Sequence, residues 1–329
     1  MKIRWNALYE LSYPAPDQPV EVAGITLVPA PFAKAPEGSS LTEQRRHKGG
    51  CVHTYQFETR STGNPESIRQ RQGVYENLVK EAREKANERW LDLVLLMALT
   101  TEPAIVEPPK LIVEEAEAGI PDEGESIYVG ATMRPIDRQG KREAIGTLAE
   151  PYLAFKDLPI AVQTLLQRAC IWIHRARLEN AEGDDRLIYI WIAFNCLYNA
   201  VSDRLSLGSR PSEKMRINAF ATQFPFGQCD LRISRLKTIA RNVQVVDRSG
   251  VDLSEQLMVL EDTDGLVDVT SVALTFIYGL RNDLFHAGHS YIDASRHKAH
   301  SAAGGVLSEY VLCSLPLVIR FLSARCEAE

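Results

Sequence analysis

Apolar residues in the second half of the chain recur every three or four positions, which is the spacing of helices that bury one face. This pattern predicts helices over residues 158–179, 186–205, 211–220, 231–245, 253–260, 264–286 and 295–324. Gly304, Gly305 and Pro316 lie within the last of these, where they predict a kink or break. We therefore expect residues 151–329 to form an all-α helical bundle.

The first 150 residues mix two hydrophobic periods. Alternation of apolar and polar positions predicts strands at 20–28, 51–59, 111–113 and 126–133. Between them, residues 66–99 have helical spacing, and Asn64 and Pro65 supply a cap and a first turn. The predicted architecture is an α+β domain over 1–150, followed by the helical domain over 151–329.

Composition places the chain among ordinary globular proteins, with 45% hydrophobic and 24% charged residues in 329. A net charge of −6 argues against non-specific coating of nucleic acid but permits a local basic groove. The N-terminus lacks the apolar core of a signal peptide, and the apolar run at 90–99 is too short to cross a bilayer. We therefore expect a cytoplasmic protein without a membrane segment.

Cysteine and histidine spacing gives no metal-binding signature. The six cysteines form no CxxC pair, and Cys170, Cys196 and Cys313 lie in apolar helical sequence, where reduced, buried thiols are expected. His297 and His300 are three residues apart and could chelate, but no cysteine or carboxylate completes a set at a familiar spacing. The sequence predicts exposed histidines, no metal site and no cofactor.

Residues 279–286 (Gly-Leu-Arg-Asn-Asp-Leu-Phe-His) place several polar groups at the end of an apolar helix. At about 100° per residue, Arg281 lies at the margin of the apolar stripe and His286 about 140° further round. Asn282 and His286 share a face. The stripe consists of Val269, Val272, Ala273, Phe276, Leu280 and Leu284. On a single helix, Arg281 and His286 therefore lie on different faces. Two chains related by a two-fold axis could bring both residue types to one cleft.

These residue types suit phosphodiester chemistry. The guanidinium of Arg281 offers a rigid fork of donors to phosphate, and His286 titrates near neutral pH. Asn282 could donate to a phosphate oxygen or orient the imidazole. The helix dipole favours a charged His286 in the last turn, whereas Arg281 opposes it.

The pattern Arg281-Asn282-x-x-x-His286 resembles the RX4–6H signature of the HEPN superfamily. Residues 191–199 (WIAFNCLYN) resemble the "WIAxxxLY" helix of the Apea-like HEPN group, and the spacing between the two helices fits that group. The resemblance covers about residues 155–325. Gly288 stands where toxin-type members often have a tyrosine, which puts regulation through such a tyrosine in doubt.

This resemblance implies a HEPN-like, usually dimeric bundle and metal-independent RNA cleavage, in which the 2′-hydroxyl attacks the adjacent phosphate and leaves a 2′,3′-cyclic phosphate. It implies acid/base chemistry for His286, charge stabilisation by Arg281 and assistance from Asn282. By family analogy the enzyme would act in phage defence or stress, with residues 1–150 sensing a regulatory ligand or partner.

Three nearby polar residues have structural and functional interpretations. Asn195 and Asn199 lie four apart on an apolar helix, so they either line a cleft beside the motif or bond to neighbouring helices. Asp283 projects close to the apolar stripe, where it would anchor the bundle. Arg281 itself could instead pair with Asp283 or another acid.

Residues 204–248 contain nine Lys or Arg and three Asp or Glu, an imbalance within an acidic protein. Arg232, Arg235, Lys237 and Arg241 could follow an RNA backbone, or could form a solvated face. Two other functions stay open for the whole chain. One is a non-catalytic HEPN-like module that binds nucleotide or protein, and the other is a structural bundle used for oligomerisation.

Overall fold

The computed structural model describes residues 2–11, 19–30, 50–61, 68–99, 106, 108–116, 149–176, 183–207, 210–229, 233–247, 249–260, 266–287 and 294–324. The chain divides into two compact units, Met1–Ala149 and Glu150–Glu329. The N-terminal unit contains an antiparallel sheet with a long helix, and the C-terminal unit is mostly helical. The prediction of α+β followed by helices is confirmed at this level.

Five antiparallel strands form the sheet of the N-terminal unit in the order β2-β3-β4-β1-β5. They are β1 (Lys2–Leu11), β2 (Val20–Val22), β3 (Ile25–Ala30), β4 (Gly50–Arg60) and β5 (Lys110–Ala116). The run predicted at 20–28 is a hairpin rather than one strand. Its turn residues, Ala23 and Gly24, both have positive φ (47° and 78°), as a two-residue hairpin turn requires. The strand predicted at 126–133 lies outside the described residues.

Strand β1 was not predicted from the sequence; it pairs with β4 along its whole length and with β5 on its other edge. Its buried side chains alternate along the strand: Ile3, Trp5, Ala7, Tyr9 and Leu11. The helix α1 (Ile68–Ala98), predicted at 66–99, covers this face. The hydroxyl of Tyr9 donates to the carbonyl of Ala86 at 2.8 Å, which joins helix and sheet inside the core.

Nine α-helices are described in these parts of the chain besides a short 3-10 turn, and eight of them follow α1 in the C-terminal unit. They are α2 (Ala149–Lys156), α3 (Ile160–Ala176), α4 (Gly183–Leu205), α5 (Glu213–Gln223), α6 (Ser234–Ala240), α7 (Leu253–Val259), α8 (Leu266–Ala287) and α9 (Ala294–Ser323). Every helix predicted from apolar spacing is present, and α2 is an addition.

The helix predicted at 231–245 is wrong in extent, since α6 has only seven residues. After it the backbone turns away from helical hydrogen bonding. The N–H of Val245 donates to the Ser254 hydroxyl at 2.9 Å, and the Val245 carbonyl accepts from the N–H of Leu253 at 2.8 Å. Because Val245 bonds to residues 253–254, the apolar residues around Val245 form an extended segment beside the start of α7 instead of a continuation of α6.

Aromatic rings fill the core between α4, α5 and α9. Phe194 lies edge-on to Phe220 and Tyr198, with ring centroids 5.2 Å away in both cases, and Tyr310 of α9 lies 6.1 Å away. The hydroxyl of Tyr310 donates to the Phe224 carbonyl at 2.6 Å. This cluster fixes the orientation of α4, which also contributes residues to the candidate site.

Helix α9 is continuous through Gly304, Gly305 and Pro316, so the chain has no break there, and the alternative prediction of a kink stays a prediction. A methyl group at Gly304 would lie 3.2 Å from the backbone nitrogen of Leu187 and 3.3 Å from its Cα. The glycine therefore allows α9 to pack closely on α4.

Among the described residues, Ser295–Ser323 is the one helix long and apolar enough to cross a membrane, but 56% of its most apolar window is buried, as in a core helix.

Replacing Gly304 by valine should lower the free energy of unfolding by about 2–3 kcal/mol, because the added carbons would press on the Leu187 backbone. The neighbouring Gly305 has nothing within 4 Å of a built Cβ. Gly305→Ala should therefore raise stability by about 1 kcal/mol through helix propensity. Urea denaturation of both variants measures these changes, and equal effects at the two positions would contradict close packing at Gly304.

Candidate functional site

Arg281 lies half-buried on α8, beside the α4 helix. Its guanidinium carbon is 6.0 Å from the ring centroid of Trp191, close enough for a cation–π contact. Its Nη1 donates to the side-chain oxygen of Asn282 at 2.9 Å. The structure therefore gives Arg281 an aromatic and an amide neighbour, and the carboxylate of Asp283 bonds elsewhere.

Asn282 accepts this hydrogen bond through Oδ1, so its amide nitrogen keeps two donors for another group. His286 lies one residue before the end of α8, as predicted, and its side chain lies outside the described residues. The backbone places Arg281 and His286 five positions apart on one helix, which keeps the predicted angular separation of about 140°.

Asp283 forms an ion pair with Arg296, with Oδ2 and Nη1 2.8 Å apart and both side chains 28% exposed. This contact joins α8 to the first turn of α9. An ion pair of this kind is what a residue that anchors the bundle would form.

Tyr198, Asn199, Glu213 and Arg216 form hydrogen bonds between α4 and α5. The Tyr198 hydroxyl donates to Glu213 Oε1 at 2.7 Å, and Arg216 Nη1 donates to Asn199 Oδ1 at 2.5 Å. Burial and the bond to Glu213 raise the pKa of Tyr198 far above its usual value, although Arg216 and Arg281 both lower it. The hydroxyl thus stays protonated, and both guanidiniums lie within electrostatic reach of it.

We call these residues, together with Trp191, Asn195, Arg281 and Asn282, the Arg281 cluster. Trp191, Asn195, Tyr198 and Asn199 fall within about 100° of one face of α4. Among the described residues, Trp191 Nε1 and Asn195 Oδ1 are buried without a hydrogen-bond partner. Native structures leave few such groups, so each one needs a functional or structural explanation. Asn199 bonds to a neighbouring helix, whereas Asn195 contributes an unused acceptor to this face.

Glu213 and Arg216 were missed by the sequence analysis, because no spacing in the sequence links α5 to the motif on α8. A weak signal was available. Arg216 is one of the nine basic residues counted between 204 and 248, and it lies three positions after Glu213 on a short amphipathic segment.

Two of the four basic residues predicted to follow an RNA backbone make other contacts in the structure. Lys237 donates to the Leu260 carbonyl at the end of α7, which gives it a structural role. Arg235 pairs with Glu309 of α9 at 2.8 Å, and Arg241 is exposed at the end of α6. Arg232 lies outside the described residues. Arg241 is thus the predicted RNA contact with the least structural engagement here.

His300 is 1% exposed, which overturns the expectation of a surface residue. Its Nδ1 lies 2.7 Å from Asp184 Oδ1, and Nδ1 of His297 lies 3.3 Å from Oδ2 of the same carboxylate. Asp184 was not predicted as their partner, because it lies more than 100 residues from His297 and His300 in the sequence. Within the described parts of the chain, no group of three His, Cys, Asp or Glu side chains could hold a metal ion.

Cys170, Cys196 and Cys313 are thiols; Cys170 and Cys196 are buried, and Cys313 is half-buried. Burial raises the pKa of the Cys196 thiol, which makes it a poor nucleophile.

The N-terminal unit contains a cavity of about 420 Å³ between α1 and β5, lined by Arg83, Ala86, Asn87, Trp90, Pro108, Pro109 and Leu111. It is a candidate place for the predicted regulatory ligand.

No family model matches the chain, and neither the curated proteins nor the solved structures give a significant match. The interpretation of the Arg281 cluster therefore depends on its own geometry and on the motif in the sequence.

Proposed function

We propose that the C-terminal unit is a HEPN-like, metal-independent endoribonuclease that acts as a homodimer. The observation that carries this proposal is the position of Arg281, which donates to Asn282 and contacts Trp191 on the polar face of α4. An arginine fork, an amide with free donors and a nearby histidine are suitable groups for a phosphodiester undergoing cleavage.

In the proposed reaction, the 2′-oxygen of RNA bonds to the adjacent phosphorus, and the bond from phosphorus to the 5′-oxygen breaks. His286 accepts the 2′-hydroxyl proton, and a second His286, from the partner subunit, protonates the leaving 5′-oxygen. Arg281 stabilises charge on the phosphorane, and Asn282 donates to a phosphate oxygen. The angle between Arg281 and His286 on α8 is the reason that two subunits are invoked.

His286→Ala should lower the rate of RNA cleavage by about 10²- to 10⁴-fold, because the proton transfers lose their acid and base. The assay uses single-stranded RNA in EDTA and identifies the 2′,3′-cyclic phosphate product. His289→Ala is a matched control, since His289 belongs to the same stretch of sequence but not to the motif.

Cleavage that persists in His286→Ala, or that requires a divalent metal, would reject this mechanism. A protein that cleaves RNA as a monomer in light scattering would reject the composite site. Binding of nucleotide or RNA without cleavage would instead favour the alternative, a non-catalytic binding module. The proposed role in phage defence or stress follows from the same family analogy, whereas the cytoplasmic location stays a prediction from the sequence.

A further inference from the structure

Arg216 is a half-buried arginine whose guanidinium has an amide as its hydrogen-bonding neighbour. It donates to Asn199, and among the described residues it forms no ion pair with a carboxylate. Its Nε is buried and also lacks a hydrogen-bond partner among these residues. A partly desolvated guanidinium that forms no ion pair favours an anionic ligand.

The charges around Arg216 support the same conclusion. Glu213 is the carboxylate of the Arg281 cluster, and it accepts the hydroxyl of Tyr198. Asp283, which follows Asn282 in the sequence, forms an ion pair with Arg296. Arg216 and Arg281 both lower the pKa of Tyr198, so both guanidiniums act electrostatically on the hydroxyl that donates to Glu213.

The polar face of α4 adds hydrogen-bonding capacity between these two arginines. Trp191 presents a buried N–H donor and Asn195 a buried acceptor, neither of which has a partner among the described residues. Trp191 also contacts Arg281 through its ring. A ligand with several charged oxygens and polar edges, such as a nucleic-acid strand, suits this combination better than a single small anion.

We propose that Arg216 is a second phosphate-contacting residue of the Arg281 cluster, which binds a phosphate of single-stranded RNA next to the one held by Arg281. This inference rests on the proposed function in one respect, the choice of RNA as the ligand. It assigns to α5 a part in substrate binding that the motif on α8 does not supply. Asn199 is then a positioning residue, which holds the guanidinium through its side-chain oxygen.

The test measures binding of a short 2′-fluoro RNA oligonucleotide, which cannot be cleaved by 2′-hydroxyl attack, across a range of salt concentrations. Arg216→Met should weaken binding about tenfold and make the slope of log affinity against log salt shallower by about 0.7, the value for one phosphate contact on a single strand. Arg216→Lys keeps the charge and should retain the slope. If Arg216 has only a structural role, Arg216→Met should leave the slope of log affinity against log salt unchanged.

Arg320→Met is the matched control, because it removes one charge from a residue that is not part of the Arg281 cluster. Arg320 is exposed and pairs with Glu150, so its loss should leave binding unchanged. Equal affinity and slope in Arg216→Met and Arg320→Met would overturn the inference, as would failure of the wild-type protein to bind the oligonucleotide.

These outcomes separate the two proposals. Arg216-dependent binding without cleavage of ordinary RNA would retain the phosphate site and reject the nuclease. Cleavage by the wild-type protein with unaltered binding in Arg216→Met would retain the nuclease and reject the role of Arg216.

Discussion

RNA cleavage should fall about 10²- to 10³-fold when Arg281 is replaced by alanine, mainly in kcat, because a donor that stabilises the developing phosphorane is lost. Arg281→Lys restores the charge without the planar fork and should recover only part of the rate. The measurement is steady-state cleavage of a fluorogenic RNA in EDTA, with thermal unfolding recorded for each variant.

A structural role for Arg281 predicts a different result. Its guanidinium bonds to Asn282 and contacts Trp191, so its loss could loosen α8 against α4. In that case stability and activity would fall together, and lysine would recover both. A wild-type kcat in a fully folded Arg281→Ala protein would exclude the catalytic role.

Phe194→Ala should lower the free energy of unfolding of the C-terminal unit by about 3–5 kcal/mol, the usual cost of truncating a buried aromatic ring. Phe194 is 0% exposed and contacts rings on its own helix, on α5 and on α9. Urea denaturation followed by the helical circular dichroism signal measures the change.

Leu153→Ala is the comparison for this variant, because Leu153 is 52% exposed on α2 and should cost less than about 0.5 kcal/mol. A loss below about 1 kcal/mol for Phe194→Ala would mean that the aromatic cluster does not hold α4 in place. The orientation of Trp191 towards α8 would then need another explanation.

The helices were predictable because their buried faces repeat over several turns, as along α8. The miss at β1 has a different cause. Its alternation is readable in the sequence, from Ile3 through Trp5 to Tyr9, but a segment rich in proline and glycine follows it, and no strand was predicted there. The end of α6 was unpredictable locally, since Val245 leaves the helix to bond with residues 253–254.

The residues of the candidate site likewise divide into those predictable from local sequence and those brought together only by the fold. Arg281 and Asn282 are adjacent in sequence, and their hydrogen bond follows from that proximity. Glu213 and Arg216 join them only because α5 packs against both α4 and α8, which is a property of the folded bundle. The Asp184–His300 contact likewise joins positions 116 residues apart, so spacing within α9 gave the wrong environment for His300.

The ion pair between Asp283 and Arg296 has a consequence for the histidine of the motif. It fastens together two points of the chain that lie 13 residues apart, and His286 lies between them. Closing so short a segment removes much of its conformational entropy in advance. In the proposed reaction, this tether would present His286 to a bound substrate at a higher effective molarity than a histidine on an untethered helix end would have. Asp283 would then act on the proposed reaction through chain entropy, by way of its ion pair with Arg296.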